Sequence, residues 1–217
     1  MSHRPSDSGQ RPPPPPAVVG AVLTGGHSRR FGTDKALADA DGTPLGRRVV
    51  DALRAGGADP VVLVGGRAGR VLGLPTVPDR LPGAGPLAGL ATALRWARSG
   101  LVVVSPCDLP LLRGEHIAAL VAAADEDTAA VASVHGGLQP SLGCWPARAS
   151  QPLHDAVRSG RRAWRHALDV VPHVAVELPP AALADADTPA RLAELLGSGP
   201  GSSDPAPAPP AGSDGPL

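Results

Sequence analysis

AVVGAVLTGGHSRRFGTDK, residues 17–35, decides how the chain is read. Its first seven residues, Ala17 to Leu23, are small, β-branched or leucine, the composition of a strand buried on both faces. The run then breaks into paired glycines (Gly25, Gly26), two adjacent arginines (Arg29, Arg30) and Lys35. Glycine there lets backbone N–H groups approach a ligand with no Cβ in the way, and the basic side chains add positive charge. A strand ending in such a loop is a place to hold an anion. The loop fits neither the Walker spacing nor GxGxxG.

The same alternation continues outward. Leu45, Val49, Val50 and Leu53 recur at helical spacing in PLGRRVVDALRAGG, and VVLV (Val61–Val64) follows. The short Thr76–Val77 run, a helix with Leu87, Leu90, Leu94 and Ala97 on one face, and LVVVS (Leu101–Ser105) repeat the unit. Continuous apolar strands joined by crossover helices predict an α/β fold, a Rossmann-like, doubly wound, mostly parallel sheet in a single domain. In such sheets ligands bind beyond the carboxyl ends of the strands, where LTGG and SPCDLP fall. The second half is less regular: TAAVASV (Thr128–Val134), a Gly136–Gly137 turn that predicts a hairpin, QPSLGCW, short helices around Leu153 and Ala167, VAVEL (Val174–Leu178) and a last helix from Pro189. A mixed region completing the sheet is expected. No internal repeat is visible.

Composition narrows the function. The 217 residues suit one domain, and 20 basic against 20 acidic side chains give zero net charge. No global field gathers a polynucleotide or an anionic membrane. Three Trp, one Phe and no Tyr leave no stacking platform for bases. Nucleic acid and membranes are therefore not expected partners. Cys107 and Cys144 form no CxxC or Cys/His spacing, so neither a disulfide framework nor a zinc site is supported, and a reducing cytoplasm fits. The N-terminus has no apolar signal core, and no apolar stretch approaches the ~18 residues a membrane span needs. Residues 1–16, with five consecutive prolines, and residues 198–217, nearly devoid of large apolar side chains, are expected to be disordered tails around a 17–197 domain.

Asp108, in SPCDLPLL, follows the LVVV strand directly. A carboxylate at the carboxyl end of a buried strand is suited to ligating Mg²⁺ beside phosphates, although a turn or cap aspartate has the same local signature. Gly83, Gly85 and Gly89 thin the backbone where a helix starts, so that a base or sugar could lie against it, with Asp79 as a hydrogen-bond acceptor. Asp185 and Asp187 precede another helix, where Asp187 or Thr188 could cap and Pro189 occupies the first turn. For Asp187, capping and metal ligation both stand. The histidines lack metal spacing; His135 and Gln139 flank the double-glycine turn, where they meet either solvent or a substrate.

Four of these motifs agree with one pattern. LTGGHSRRFGTDKAL, GPLAGL, PCDLPLL and DADTPARL, in this order and spacing, resemble the LAGGxSxRMGxDK, GPLxG, CDxP and NxNTP or DxDTP motifs of the molybdenum cofactor guanylyltransferases, MobA-like nucleotidyltransferases. The resemblance spans Val18 to Leu196. It implies a fold of the nucleotide-diphospho-sugar transferase type and transfer of GMP from GTP to Mo-molybdopterin, yielding the guanine dinucleotide cofactor and pyrophosphate. It further implies that Leu23, Thr24, Gly25 and Gly26, with Lys35, Asp79, Gly85 and Asp108, hold GTP. Asp108 and Asp187 would hold Mg²⁺, and Lys35, Asp108 and Arg29 would act in catalysis. SGRRAWRHAL (Ser159–Leu168) resembles the family's basic stretch and would suit an anionic pterin. Molybdoenzyme apoproteins or cofactor-insertion proteins are the implied onward partners. Thr24 stands where the family carries Ala and Phe31 where it carries Met. Asp in the last motif is shared with related cytidylyltransferases, so a molybdopterin cytidylyltransferase using CTP, or another small-metabolite nucleotidyltransferase, is the alternative; a non-catalytic nucleotide-binding regulator is the more distant one.

Overall fold

Residues 17–24, 34–79, 81 and 83–197 are described by a computed structural model. Among them the strands are β1 (Val18–Leu23), β2 (Asp39–Ala40), β3 (Thr43–Pro44), β4 (Val61–Val64), β5 (Thr76–Val77), β6 (Leu101–Pro106), β7 (Ala129–Val134), β8 (Gly137–Pro146) and β9 (His173–Glu177). The α-helices are α1 (Leu45–Ala55), α2 (Gly69–Leu72), α3 (Pro86–Ala97), α4 (Gly114–Ala123), α5 (Ser150–Arg158), α6 (Arg165–Leu168) and α7 (Pro189–Leu195). Short 3₁₀ turns cover Lys35–Leu37, Ala147–Ala149 and Pro180–Leu183. No helix of the described residues is long and apolar enough to cross a membrane. The expected tails lie outside the described residues.

Seven strands form one sheet in the order β5-β4-β1-β6-β8-β7-β9. β1 pairs in parallel with β4 and β6, β4 with β5, and β7 with β9. β8 runs antiparallel to both β6 and β7, which therefore point the same way. The expected mostly parallel sheet is present, with the mixed region where the sequence places it. Alternate residues of the central strands serve two cores. Val22, Leu63 and Val103 pack against α1 (Val49, Val50, Leu53) and α4 (Ile117, Leu120). Ala21, Val62, Val64, Val102 and Val104 pack against α3 (Leu87, Leu90, Leu94), α5 (Leu153) and α6 (Ala167). A Cβ on Gly56 would lie 2.4 Å from Ile117 Cβ, so glycine at the end of α1 is what lets α4 approach it.

Chain direction creates the site. From β1 the chain builds outward through β4 and β5, then crosses back to place β6 on the other side of β1. Leu23 and Pro106, partners across the β1–β6 ladder, thus end their strands side by side at the switch point where doubly wound sheets bind ligands. A small third core docks α7 at the same edge: Leu192 and Ala186 pack with Ala40 and with Leu45 at the start of α1. The β2–β3 hairpin supplies that surface.

Two details differ from expectation. The hairpin turn is His135–Gly136, with φ of +52° and +77°, and Gly137 already begins β8. QPSLGCW is part of the ten-residue strand β8 rather than a separate segment.

Candidate active site

Lys35 is the hub. Asp34 accepts a hydrogen bond from Ala36 N–H at 3.1 Å and caps the 3₁₀ turn that begins with Lys35. From there the lysine Nζ donates to Asp108 Oδ2 at 2.8 Å and to Asp187 Oδ1 at 2.7 Å. Three residues predicted from separate motifs, at the ends of β1 and β6 and before α7, therefore meet at one ammonium. The Lys35 and Asp108 side chains are 12% and 20% exposed, whereas Asp187 is 57% exposed, so the site opens on the Asp187 side.

Backbone contacts hold this arrangement. Ala186 N–H donates to Asp108 C=O at 2.9 Å and ties the segment before α7 to the end of β6. Thr188 is the cap: its Oγ1 accepts from Arg191 N–H at 3.1 Å, with Pro189 in the first turn. Asp187 is thereby spared the capping role and turned to Lys35. The Ala186 anchor is carried by a main-chain group and leaves no side-chain signal in the sequence.

Electrostatics fix the protonation states. Burial works to lower the Lys35 pKa, but the hydrogen bonds and charges of Asp108 and Asp187 outweigh it, and the net shift is upward. The lysine is a cation at neutral pH. Cys107, beside Asp108, is pushed up to about 12, first by burial and then by the Asp108 charge. It is no thiolate nucleophile.

The other predicted residues are placed less centrally. Leu23 packs under α3 at Gly89, where a Cβ would sit 3.4 Å from its methyls. Thr24 is anchored sideways: its N–H donates to Val64 C=O at 3.0 Å and its Oγ1 to Gly65 C=O at 2.8 Å. The hydroxyl that stands where the resemblance expects alanine thus secures Thr24 to the end of β4. Asp79 follows β5 at the same edge and accepts from Leu81 N–H at 3.0 Å, without joining the Lys35 cluster. Gly85 caps α3 at φ +88°, and a Cβ there would meet Arg162 backbone and Cβ at 3.0 Å. Leu87 N–H donates to Arg162 C=O at 3.2 Å, and Arg162 Nη1 to Gly83 C=O at 3.0 Å. The basic Ser159–Leu168 stretch is therefore joined to the GPLAGL loop. Asp185 is exposed and takes no part in the cluster. Gly25, Gly26, Arg29 and Arg30 lie outside the described residues.

A family model described as the MobA-like NTP transferase domain matches residues 20–176. The chain belongs to the MobA-like NTP transferase family. It is 36% identical over 152 residues to a probable molybdenum cofactor guanylyltransferase of Opitutus terrae, covering 68% of this chain and 75% of that protein. It is 38% identical over 152 residues to the molybdenum cofactor guanylyltransferase of Burkholderia vietnamiensis, covering 66% and 71%. Among solved structures, molybdopterin-guanine dinucleotide biosynthesis protein A of Archaeoglobus fulgidus gives a TM-score of 0.66 at 23% identity, over 82% of this chain and 96% of that one. The 2-C-methyl-D-erythritol 4-phosphate cytidylyltransferase of Thermus thermophilus gives 0.62 at 20%, over 82% and 97%. These likenesses fix the fold as the nucleotide-diphospho-sugar transferase type. Within this MobA-like chain, Asp187 lies beyond the matched residues, yet its carboxylate completes the cluster.

Whether this cluster suits magnesium is decided by its donors. Two carboxylates converge on one point, both hard oxygen donors, and Asp108 Oδ1 accepts no hydrogen bond among the described residues. No group of three or more His, Cys, Asp or Glu that could hold a metal occurs among those residues. Magnesium is bound by one or two carboxylates when water and substrate phosphates complete its octahedron. The residues fit a cation that arrives with a nucleotide.

Proposed function

We propose that the chain transfers GMP from GTP to the terminal phosphate of Mo-molybdopterin, releasing pyrophosphate. The observation that carries this reading is the meeting of Lys35, Asp108 and Asp187 at the switch point of a MobA-like NTP transferase fold. The donor base and the acceptor follow the names of the curated relatives.

The nucleophile is a phosphate monoester, whose second pKa near ~6 leaves it largely ionised at neutral pH. No general base is needed. An acceptor phosphate oxygen forms the new bond to the α-phosphorus of GTP, and the bond from that phosphorus to the α,β-bridging oxygen breaks, its electron pair leaving with pyrophosphate. The obstacle is the approach of two polyanions, so the protein contributes charge and in-line alignment. Mg²⁺, held by Asp108 and Asp187, would supply Lewis-acid neutralisation of the phosphates. Lys35 keeps its proton and exchanges carboxylate partners for phosphate oxygens as GTP enters, and Arg29 adds a second cation from the glycine loop. Leu23, Thr24, Gly25 and Gly26, with Asp79 and Gly85, border the nucleotide, and the Arg161–Arg162 stretch attracts the anionic pterin. The buried, unpaired Cys107 and Cys144 suit the reducing cytoplasm assigned to this chemistry, where the product passes to molybdoenzyme apoproteins or insertion proteins.

The test is pyrophosphate release by purified protein with Mg²⁺ and Mo-molybdopterin, comparing GTP with CTP, ATP and UTP. Release with GTP alone supports the reading. Preference for CTP replaces it with cytidylyl transfer, and no release with any nucleotide refutes the acceptor.

A further inference from the structure

The far half of the sheet carries a polar device that the reaction above does not use. Glu177 ends β9, the outermost strand, opposite Ser133 of β7. Its Oε2 accepts from Ser133 Oγ at 2.5 Å, and its Oε1 from the His135 backbone N–H at 2.5 Å. Gly136 N–H approaches Oε2 at 3.5 Å. One carboxylate thus gathers the two residues of the hairpin turn, both at positive φ, and Ser133, two positions before the turn. Hydrogen bonds from Ser133 and then from His135 hold the Glu177 carboxyl below its ordinary range, so the acceptor is charged and its bonds are of the stronger, charge-assisted kind.

The location gives this clamp a purpose. β6, β7 and β9 run in one direction, so the His135–Gly136 turn and Glu177 stand at the same sheet edge as Asp108. Where β8 passes the end of β6 its register with β7 shifts: Val131 faces Gly143, but Ala132 faces Gln139, and Pro140 to Leu142 have no partner on β7. Bulges of this kind re-aim side chains beside active sites. Leu142, at the foot of the hairpin, shares a buried cluster with Cys107 and Leu109, the neighbours of Asp108. In-line transfer requires the attacking and departing groups on opposite sides of the α-phosphorus. With the carboxyl ends of β1, β4 and β5 on the proposed nucleotide side, the hairpin lies on the other.

We propose that the β7–β8 hairpin, from His135 to Gln139, walls the acceptor side of the site and that Glu177 is the positioning residue that holds it there. The proposal rests on the guanylyl-transfer reading. Glu177 lies just beyond the segment matched by the family model.

The experiment uses the full chain and the variants Glu177→Ala, Glu177→Gln and Ser133→Ala. Pyrophosphate release is measured with Mo-molybdopterin varied at saturating GTP and the reverse, GTP binding by calorimetry, and amide exchange at His135 and Gly136 by hydrogen–deuterium exchange. Glu177→Ala is expected to raise the acceptor KM about tenfold, the size of one lost charge-assisted contact, and to speed exchange at both amides. The affinity and KM for GTP stay unchanged, and Glu177→Gln and Ser133→Ala fall between. Faster exchange with an unchanged acceptor KM would reduce Glu177 to a structural pin and overturn the proposal, as would equal rises in both KM values. A wild-type chain that binds GTP but transfers nothing would bring down the guanylyl-transfer reading, and this proposal with it.

Discussion

The parallel half of the sheet, β5-β4-β1-β6, and the half beyond it, β8-β7-β9, solve the same problem in different ways. In the first, β4 and most of β1 and β6 are buried, crossover helices cover both faces, and apolar packing fixes where the strands end. In the second, β9 is an edge strand with Val174 42% exposed, and a charged side chain fixes the turn. The strand ends are thus set by core packing on one side and by individual hydrogen bonds on the other. Substitutions should separate the two.

The largest effect is expected at Asp108. Asp108→Asn removes a charge that the proposed reaction uses at the phosphates and should lower kcat roughly 10²–10³-fold, the range for losing one preorganised electrostatic group. The urea midpoint should barely move, because Lys35 keeps Asp187. Leu63→Ala, in the fully buried face of β4, should cost about 2–5 kcal/mol of stability, whereas Val174→Ala should stay within about 0.5 kcal/mol. Similar losses at both positions in denaturant titrations would erase the contrast between the halves.

Lys35 sharpens the comparison through pH. Its folded pKa is raised above the ordinary lysine value of 10.5, so the folded chain holds this proton more tightly than the unfolded chain. The stabilisation is complete below pH 10.5 and is lost as pH rises through the folded value. Urea midpoints on either side of pH 10.5 should fall more steeply in the wild type than in Lys35→Met, and parallel slopes would deny the coupling. A modest effect is expected from Thr188→Ala. Losing the cap of α7 should cost about 1 kcal/mol and reduce turnover severalfold through Asp187, read from melts and pyrophosphate release.

Legibility also followed the two halves. AVVGAVL, VVLV and LVVV announce buried parallel strands because both faces need apolar side chains, and Lys35 and Asp108 follow at their ends. Asp187 was readable as a candidate, but its separation from capping required seeing Thr188 do that work. The β2–β3 hairpin was missed because Asp39–Ala40 and Thr43–Pro44 are too short to show a period. So was α4, whose GEHIAALVAA carries apolar or small side chains around most of its circumference. Glu177 ends an apparently ordinary strand, and its role depends on a turn 41 residues earlier in the chain.

The proposed reaction places guanylyl transfer at the Lys35–Asp108–Asp187 cluster. Its most direct test is Mg²⁺-dependent pyrophosphate release from GTP in the presence of Mo-molybdopterin, measured for the wild type and Asp108→Asn side by side. That placement requires release by the wild type that depends on the acceptor and falls at least ~10²-fold in the variant, which still binds GTP and unfolds cooperatively. Equal release by the two proteins would contradict it and move the reacting centre away from this cluster.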